Sequence, residues 1–524
     1  LSRKKIWLTG LWILVFLSSG AFLLAQESKK EVSLSLEEAI VRALKQNLNL
    51  IAEVYTIEKS AASVSLAKEM YYPKFEVNFG SDRNEQPSTW WLQSSGTYIT
   101  KMRSYETSVS QQLPIGGTLS MSLSNYKTDT NQMFQLFNPY YNTQLRFSFI
   151  QPLLKNFGPK VAMKEIVVAR QNQAISEAQL KSQVLDTIYQ VEEAYWNLVL
   201  ARENLKVKQQ SLQLARDQLA KTQKEISVGQ QAAIEILNVQ AAVSQREADI
   251  VQAEGAVRVA EDRLKVILNL ASGLDLGNVS LKTLEQPSFK PVEVDLKEAI
   301  ETALANRPDL KLNSLTVENK QFGLEVAKNQ LLPQLDFNVS YWSPGISGDR
   351  ILYLNNNPLT GVMIGKVPGS MSNSFRDALK FLYNNWSLNF TLTIPLSDYI
   401  SRANYAIART DLAQAQAKQK ALEQQALLEV SEAVKNLETM AKSVEAYRVA
   451  REYAEKRLEA ETKKLSVGLT TNYFVLEAQE RLATARSAEL KALIDYNLAQ
   501  ARLEKVLGTG LRNRNITLSE VGQK

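Results

Sequence analysis

Long segments of this chain occur twice at constant spacing, and that duplication constrains the fold more than any local signal. Leu36-Glu37-Glu38-Ala39-Ile40 returns as Leu296-Lys297-Glu298-Ala299-Ile300, an offset of 260, and Ala67-Lys68, Pro73 and Asn78 meet Ala327-Lys328, Pro333 and Asn338 at that same offset. Further along the offset falls to 239: Ser227-Val228-Gly229 matches Ser466-Val467-Gly468, Leu237 and Gln240 match Leu476 and Gln479, and Arg263-Leu264 matches Arg502-Leu503. A repeat of this length fixes the architecture before local patterns are read. Each copy holds long helix, short strands and long helix again.

The helical pattern has a strict seven-residue period. Residues 160–228 and 396–467 contain neither Gly nor Pro. In the first, Val184, Val191, Leu198, Leu205, Leu212, Leu219 and Ile226 recur at every seventh position; in the second, Val430, Leu437, Val444, Leu458 and Leu465 do so, with Arg451 the break. A sustained heptad implies a left-handed supercoil, because a straight helix would rotate the stripe off its partner. Taken alone, this pattern favours an ordinary two-stranded coiled coil or a spectrin-like bundle. Lengths separate the possibilities. Residues 160–228 span roughly 100 Å at about 1.5 Å per residue, whereas the helices expected at about 232–271 and 296–331 are each near half that. About 470–507 plus about 36–71 likewise balances 396–467. Each long helix therefore has a return path of two shorter helices, with an irregular waist between them.

The strands lie between helix ends. Lys74 to Ser81, about Thr97 to Leu113, Gly117 to Ser124 and Thr143 to Gln151 alternate in polarity in the first copy, and Gln334 to Tyr341 and Trp386 to Ile394 in the second. Leu145, Phe147 and Phe149 face away from Gln144, Arg146 and Ser148; Leu388, Phe390, Leu392 and Ile394 alternate with Asn389, Thr391 and Thr393. A soluble sandwich would alternate too, but aromatic placement favours a membrane barrel with Trp and Tyr girdles. Trp90, Trp91, Trp342, Trp386, Tyr71, Tyr72, Tyr98, Tyr105, Tyr140, Tyr141 and Tyr341 all fall in or beside these segments. The Pro114-Ile115-Gly116-Gly117 link is a tight turn, while residues 82–96, 129–142 and 342–385 are long and polar. Short turns belong to the periplasmic side of such barrels and long loops to the outside. The helices leave on the side of the tight turn.

Composition narrows the function classes. The chain has 524 residues, no cysteine and no histidine. A disulfide framework, a thiolate metal site and a Cys or His nucleophile pair are excluded, and no cofactor, metal site or catalytic constellation is expected. The reading is that the protein is not an enzyme. The formal charge of +6 counts Arg3, Lys4 and Lys5. Those belong to an expected signal peptide over residues 1–25, with a basic start and an apolar run. Without them the balance is 58 basic against 55 acidic residues, and the basic residues form no clustered stripe, so nucleic acid is not an expected partner. After residue 30 no apolar stretch approaches the roughly 20 residues of a spanning helix, so any embedded part must be β.

At this point the sequence resembles the TolC-like outer-membrane efflux protein family, over nearly all of the chain that follows the leader. The most specific elements are Ser227-Val228-Gly229…Ile236-Leu237-Asn238-Val239-Gln240 and Ser466-Val467-Gly468-Leu469-Thr470…Val475-Leu476-Glu477-Ala478-Gln479, with Gln151-Pro152-Leu153-Leu154 and Ile394-Pro395-Leu396 at strand ends. The resemblance implies a mixed α/β membrane protein. Duplicated coiled-coil helices would form a periplasmic α-barrel, and a few strands would contribute to a trimeric transmembrane β-barrel. The expected organisation is a first repeat at 26–271, an equatorial linker at 272–295, a second repeat at 296–508 and a tail at 509–524. The family usually contributes four strands per protomer; six candidates are present here, since residues 108–124 read as an extra hairpin, so either the barrel has 18 strands or that hairpin lies outside it, with membrane strands the preferred reading.

The implied function is the outer-membrane exit duct of a tripartite efflux or type I secretion system, working as a homotrimer in outer-membrane lipid with a large periplasmic portion. Its implied partners are a periplasmic adaptor (membrane fusion) protein and an inner-membrane transporter of RND, ABC or MFS type. No Gly-x-x-x-x-Gly-Lys-Ser/Thr loop exists to power transport, so the duct would be passive. The family closes its tunnel with acidic rings at the periplasmic tip, which maps onto Glu235 and Glu477. Their counterparts in the other copy are Phe474 and Asn238, so each repeat supplies one acid. The family's tyrosine and arginine latch is not reproduced, because Leu465 and Thr470 stand at those positions. Val228, Gly229, Val467, Gly468, Leu469 and Thr470 match the family's adaptor contact. The competing readings are a structural or adhesive coiled-coil envelope protein, which would have no barrel, and a general trimeric porin, which would not need roughly 100 Å of helix.

Overall fold

The computed structural model describes residues 30–89, 96–270, 279–514 and 516. The leader, Trp90, Trp91 and most of the tail beyond 514 lie outside the described residues. Two elements dominate: α4 (Lys164–Ser227, 64 residues) and α9 (Tyr399–Ser466, 68 residues), each roughly 100 Å long at about 1.5 Å per residue. The heptad positions form their buried stripe. Val184, Val191, Leu198 and Leu212 are buried in α4, as are Val430, Leu437, Val444 and Leu465 in α9. Arg451, where the heptad breaks, is held by Glu489 at 2.6 Å and Glu455 at 2.9 Å.

The shorter helices differ from the sequence reading in one respect: the two expected before the sheet are each broken near one end. Residues 36–71 form α1 (Leu36–Gln46) and α2 (Leu48–Glu69); 296–331 form α6 (Leu296–Asn306) and α7 (Pro308–Asn329). The breaks are equivalent by the repeat. Asn47 and Arg307 are both extended, at ψ 122° and ψ 121°. Asn47 stops one helix and caps the next through Asn49 and Leu50 N–H, whereas Arg307 precedes a proline that disfavours helical backbone before it. Beyond the tips run α5 (Glu235–Ile267) and α10 (Asn472–Leu507). Helix α4 packs against α5, α2, α7 and α10, while α9 packs against α10, α7 and α6. Helix α4 is thus flanked by a short helix from each repeat. Among the described residues no helix is long and apolar enough to cross a membrane.

The waist is not wholly irregular. Residues 272–295, read as linker, contain β6 (Val279–Thr283), which pairs in parallel with β1 (Lys30–Leu34). This pair closes over α1, α4 and α5, in a core of Leu34, Ile40, Leu44, Val191, Leu264 and Leu281. Tyr195 anchors it: its hydroxyl donates to the Glu285 carboxylate, lies 3.1 Å from the Leu34 carbonyl, and accepts from the Leu284 and Glu285 N–H groups. A smaller core around Val430, Leu437, Tyr496 and Ala303 serves the second repeat.

All six expected strands join one antiparallel sheet: β2 (Lys74–Pro87), β3 (Thr97–Gln112), β4 (Thr118–Thr130), β5 (Phe137–Pro152), β7 (Gln334–Tyr353) and β9 (Asn385–Thr393), in that spatial order. A short β8 (Met363–Val367) pairs with the far end of β7. Most strands run past their expected ends, so the links shorten to 88–96, 131–136 and 354–384. Register sorts the side chains by face. One cross-strand row holds Val77, Thr107, Leu123, Leu145 and Ser343; the next holds Phe75, Val109, Met121, Phe147, Tyr341 and Trp386; a third holds Gln111, Leu119, Phe149, Val339 and Leu388. The opposite face carries Glu76, Ser108, Ser122 and Arg146 in one row. On β4 Leu119 and Met121 are exposed while Ser120 and Ser122 are half-buried, as expected if the apolar face is the convex one. The aromatic assignment divides accordingly. Tyr105, Tyr141, Tyr341 and Trp386 lie on the apolar face. Trp342 lies on the polar face, its ring 4.9 Å from the Arg146 guanidinium.

Within the chain the sheet is open. Strands β2 and β9 each pair on one edge alone among the described residues. The tight turn at Gly116 (φ 94°) is closed by Leu113 N–H to Gly117 O at 2.7 Å, and it lies beside α3 (Pro159–Ala162), at the start of the helical part. A further helix, α8 (Met371–Leu379), lies on β5 and β7, and α11 (Gly510–Asn513) ends the described chain.

Candidate functional site

The far end of the helical part is built from two hairpin turns with one backbone design. After α4, Gly229 (φ 75°) lets its N–H reach Ile226 O at 3.0 Å while Gln230 N–H reaches Glu225 O at 2.8 Å. After α9, Gly468 (φ 74°) repeats it: Gly468 N–H to Leu465 O at 3.1 Å and Leu469 N–H to Lys464 O at 2.9 Å. This is the left-handed helix stop that glycine alone adopts at little cost. Val228, Val467 and Leu469 project into solvent at 67 %, 67 % and 78 % exposure, so the tip is an apolar rim.

The two expected acids sit in different electrostatic settings. Glu235 opens α5, where a carboxylate is favoured by the helix dipole. It lines a cleft of about 440 Å³ between the two turns, together with Glu225, Gln231, Gly468, Thr470 and Asn472. Its Oε2 is buried without a hydrogen-bond partner among the described residues. Glu477, on α10, is paired with Arg481 at 2.6 Å and Arg457 at 3.6 Å. The structure therefore brings both turns and Glu235 to one cleft and sets Glu477 apart as a charge-balanced group.

Between the two hairpins lies a buried polar network that the sequence did not single out. Asn472, 1 % exposed, accepts from Gln218 Nε2 at 2.6 Å and donates to Gln231 Oε1 at 2.6 Å. One to two turns deeper, Arg246 donates to the Ser211 carbonyl and Gln479 Oε1, both at 2.9 Å, and to the Leu476 carbonyl at 3.3 Å. Burial lowers the Arg246 pKa, opposed by Glu480 and Asp249. One signal was present in the repeat. Gln218, Arg246 and Asn472 stand opposite Arg457, Ala485 and Ala233 in the other copy, so each is a place where the duplication is broken.

A family model described as outer membrane efflux protein matches residues 115–270 and 299–509, well over half of the chain. No curated protein sequence matches it. Among solved structures the fold resembles a membrane protein from Pseudomonas aeruginosa (TM-score 0.63, 17% identity, 90% of this chain and 93% of that chain covered). It also resembles the Campylobacter jejuni CmeC outer membrane channel (0.63, 16%, 92% and 90%) and the Neisseria gonorrhoeae MtrE outer membrane channel in its open state (0.58, 17%, 93% and 91%). At these identities the structures speak for the fold, and the family match assigns the chain. With its amphipathic sheet, its two roughly 100 Å helices and its paired glycine turns, this chain belongs to the outer membrane efflux protein family.

Proposed function

We propose that three copies of this chain form a passive exit duct, with one β-barrel in the outer membrane continuous with a helical tunnel through the periplasm. The carrying observation is an amphipathic sheet with two unpaired edges joined to helices too long for a simple porin. Unpaired strand edges are not tolerated in lipid, and six strands enclose no usable lumen alone; pairing β2 of one copy with β9 of the next removes both problems and gives eighteen strands. The energy comes from an inner-membrane transporter of RND, ABC or MFS type, coupled through a periplasmic adaptor that docks on Val228, Gly229, Val467, Gly468, Leu469 and Thr470. The exposed apolar rim supports that docking role.

At the tip, three copies of Glu235 around the axis form a ring that repels anions and holds cations. Glu477 adds to the ring's geometry but less to its field, because Arg457 and Arg481 balance it. Opening is a shear of the coiled coils between two packings, and the Gln218–Asn472–Gln231 and Arg246 contacts are what must part or slide. The chain has no cysteine, which makes the test clean. Cysteines placed at Val228 and Val467 should crosslink neighbouring copies and stop current through planar bilayers, with recovery on reduction. Unchanged current in the crosslinked protein would refute the tip gate.

A further inference from the structure

Helix α8 lies on the outside of the barrel wall, at its loop end. The contacts fix its face. Ser374 Oγ is 2.8 Å from Thr143 Oγ1, and the Ser347 hydroxyl donates to Ser370 O at 2.6 Å. Phe381, just past the helix, stacks on Tyr341 with ring centroids 5.9 Å apart. Thr143, Ser347 and Tyr341 all belong to the face that carries Leu145, Phe147 and Phe149. The seat is shaped for the helix: a Cβ on Gly345 would come within 2.0 Å of Ser374 O, so only glycine allows this approach. Helix α8 thus runs down β7, from a level above the apolar band to its upper edge.

Its open flank has two chemistries. Met371, Phe375 and Leu379 line a shallow groove of about 700 Å³ whose rim carries Arg376 and Lys380. Leu379, Leu382 and Trp386 continue it downward at 53 %, 58 % and 74 % exposure, onto the band formed by Phe147 and Tyr341. Sideways, at the level where α8 begins, the same wall carries further cations above Arg376 and Lys380. Arg103, Lys127, Tyr141 and Ser347 form one cross-strand row, and that row holds α8 through Ser347. Cations just above an apolar wall match an anionic headgroup sitting on acyl chains.

We propose that this surface binds a phosphorylated, multiply acylated glycolipid of the outer leaflet: phosphates on Arg376, Lys380, Lys127 and Arg103, and an acyl chain in the groove of Phe375 and Leu379. The proposal rests on the barrel reading above, since it needs the apolar face in lipid. Continuity with that wall is what selects a lipid over a soluble protein partner. The experiment uses the purified full chain in mild detergent, incubated with bisphosphorylated lipid A, its monophosphoryl form or phosphatidylethanolamine. Retained lipid is read by native mass spectrometry, and conductance is measured on the same samples.

Bisphosphorylated lipid A should be retained at least tenfold over phosphatidylethanolamine, with the monophosphoryl form between them. Arg376→Gln/Lys380→Gln should lower retention roughly tenfold or more, and Lys127→Gln roughly fivefold, on the scale of one surface cation each. Gly345→Val, which displaces α8 without touching a charge, should lower it as well. Equal retention of lipid A and phosphatidylethanolamine, or retention unchanged in the double variant, overturns the proposal. Conductance with no selective retention sinks the lipid site alone; loss of conductance in the unmodified protein sinks the duct reading itself.

Discussion

The two hairpin tips share a backbone and differ in charge. Both end a long helix with a glycine at φ near 75°, both expose a valine, and both send a helix back toward the waist. Yet the first places in the cleft a carboxylate with one buried oxygen that has no hydrogen-bond partner among the described residues, and the second neutralises its own with two arginines. Backbone symmetry is what the duplication preserved; side-chain asymmetry is where the gate proposed above would take its direction.

The difference between the tips can be broken at successive points. The largest effect is expected at the shared element. Gly468→Trp should leave trimer and barrel intact, judged by heat-modifiable migration, while abolishing export in the native host; unimpaired export would remove the docking role from the turn. Next comes the asymmetric acid. Glu235→Gln should lower cation selectivity severalfold in planar bilayers, whereas Glu477→Gln should change it little, and equal effects would erase the distinction drawn here. Third, Arg246→Ala leaves buried carbonyls and Gln479 without their donor, costing about 1–3 kcal/mol locally. Amide exchange around 211–222 and 472–479 should then accelerate tenfold or more, with the waist unaffected.

A smaller effect is expected away from the tips. Burial raises the Glu192 pKa from 4.5 to about 7, with Arg514 opposing and Glu504 adding to the rise. The folded chain therefore binds this proton more tightly than the unfolded chain. Stability falls as pH rises from about 4.5 to about 7, then levels off as far as this group is concerned. Glu192→Gln should flatten the Tm profile across that window; an unchanged slope assigns it to other groups.

Much of this was legible in the sequence because it is periodic. The heptads at Val184 to Leu212 and Val430 to Leu465 are the buried stripes, and six alternating runs are the six strands. What escaped has physical causes. Strands run past their alternating segments because alternation marks where one face meets an apolar phase; β2 continues beyond it with polar residues on both faces, while β4, β5 and β7 continue with polar and aromatic or aliphatic residues mixed on both faces. The pair β1–β6 is five residues a side and closes over helices, so neither strand carries a clean pattern. The helix breaks at Asn47 and Arg307 were marked, one by a capping asparagine and the other by Pro308, but helical periodicity runs through both. Helix α8 hides in a link rich in Asn, Ser and Gly, although Met371, Phe375, Ala378 and Leu379 have helical spacing. The tip network was legible only as broken symmetry, since Gln218 and Asn472 are unremarkable residues until α4 and α10 bring them together.

In the proposed duct, β2 of one copy pairs with β9 of the next to close a threefold barrel. Single cysteines at Lys74, Glu76 and Asn78 on β2, each combined with Asn389→Cys on β9, test it directly in membranes of a chain that has no other thiol. Oxidation at the matching register should give a ladder that stops at a covalent trimer. No crosslink at any register, or a ladder that runs on past three copies, would contradict it.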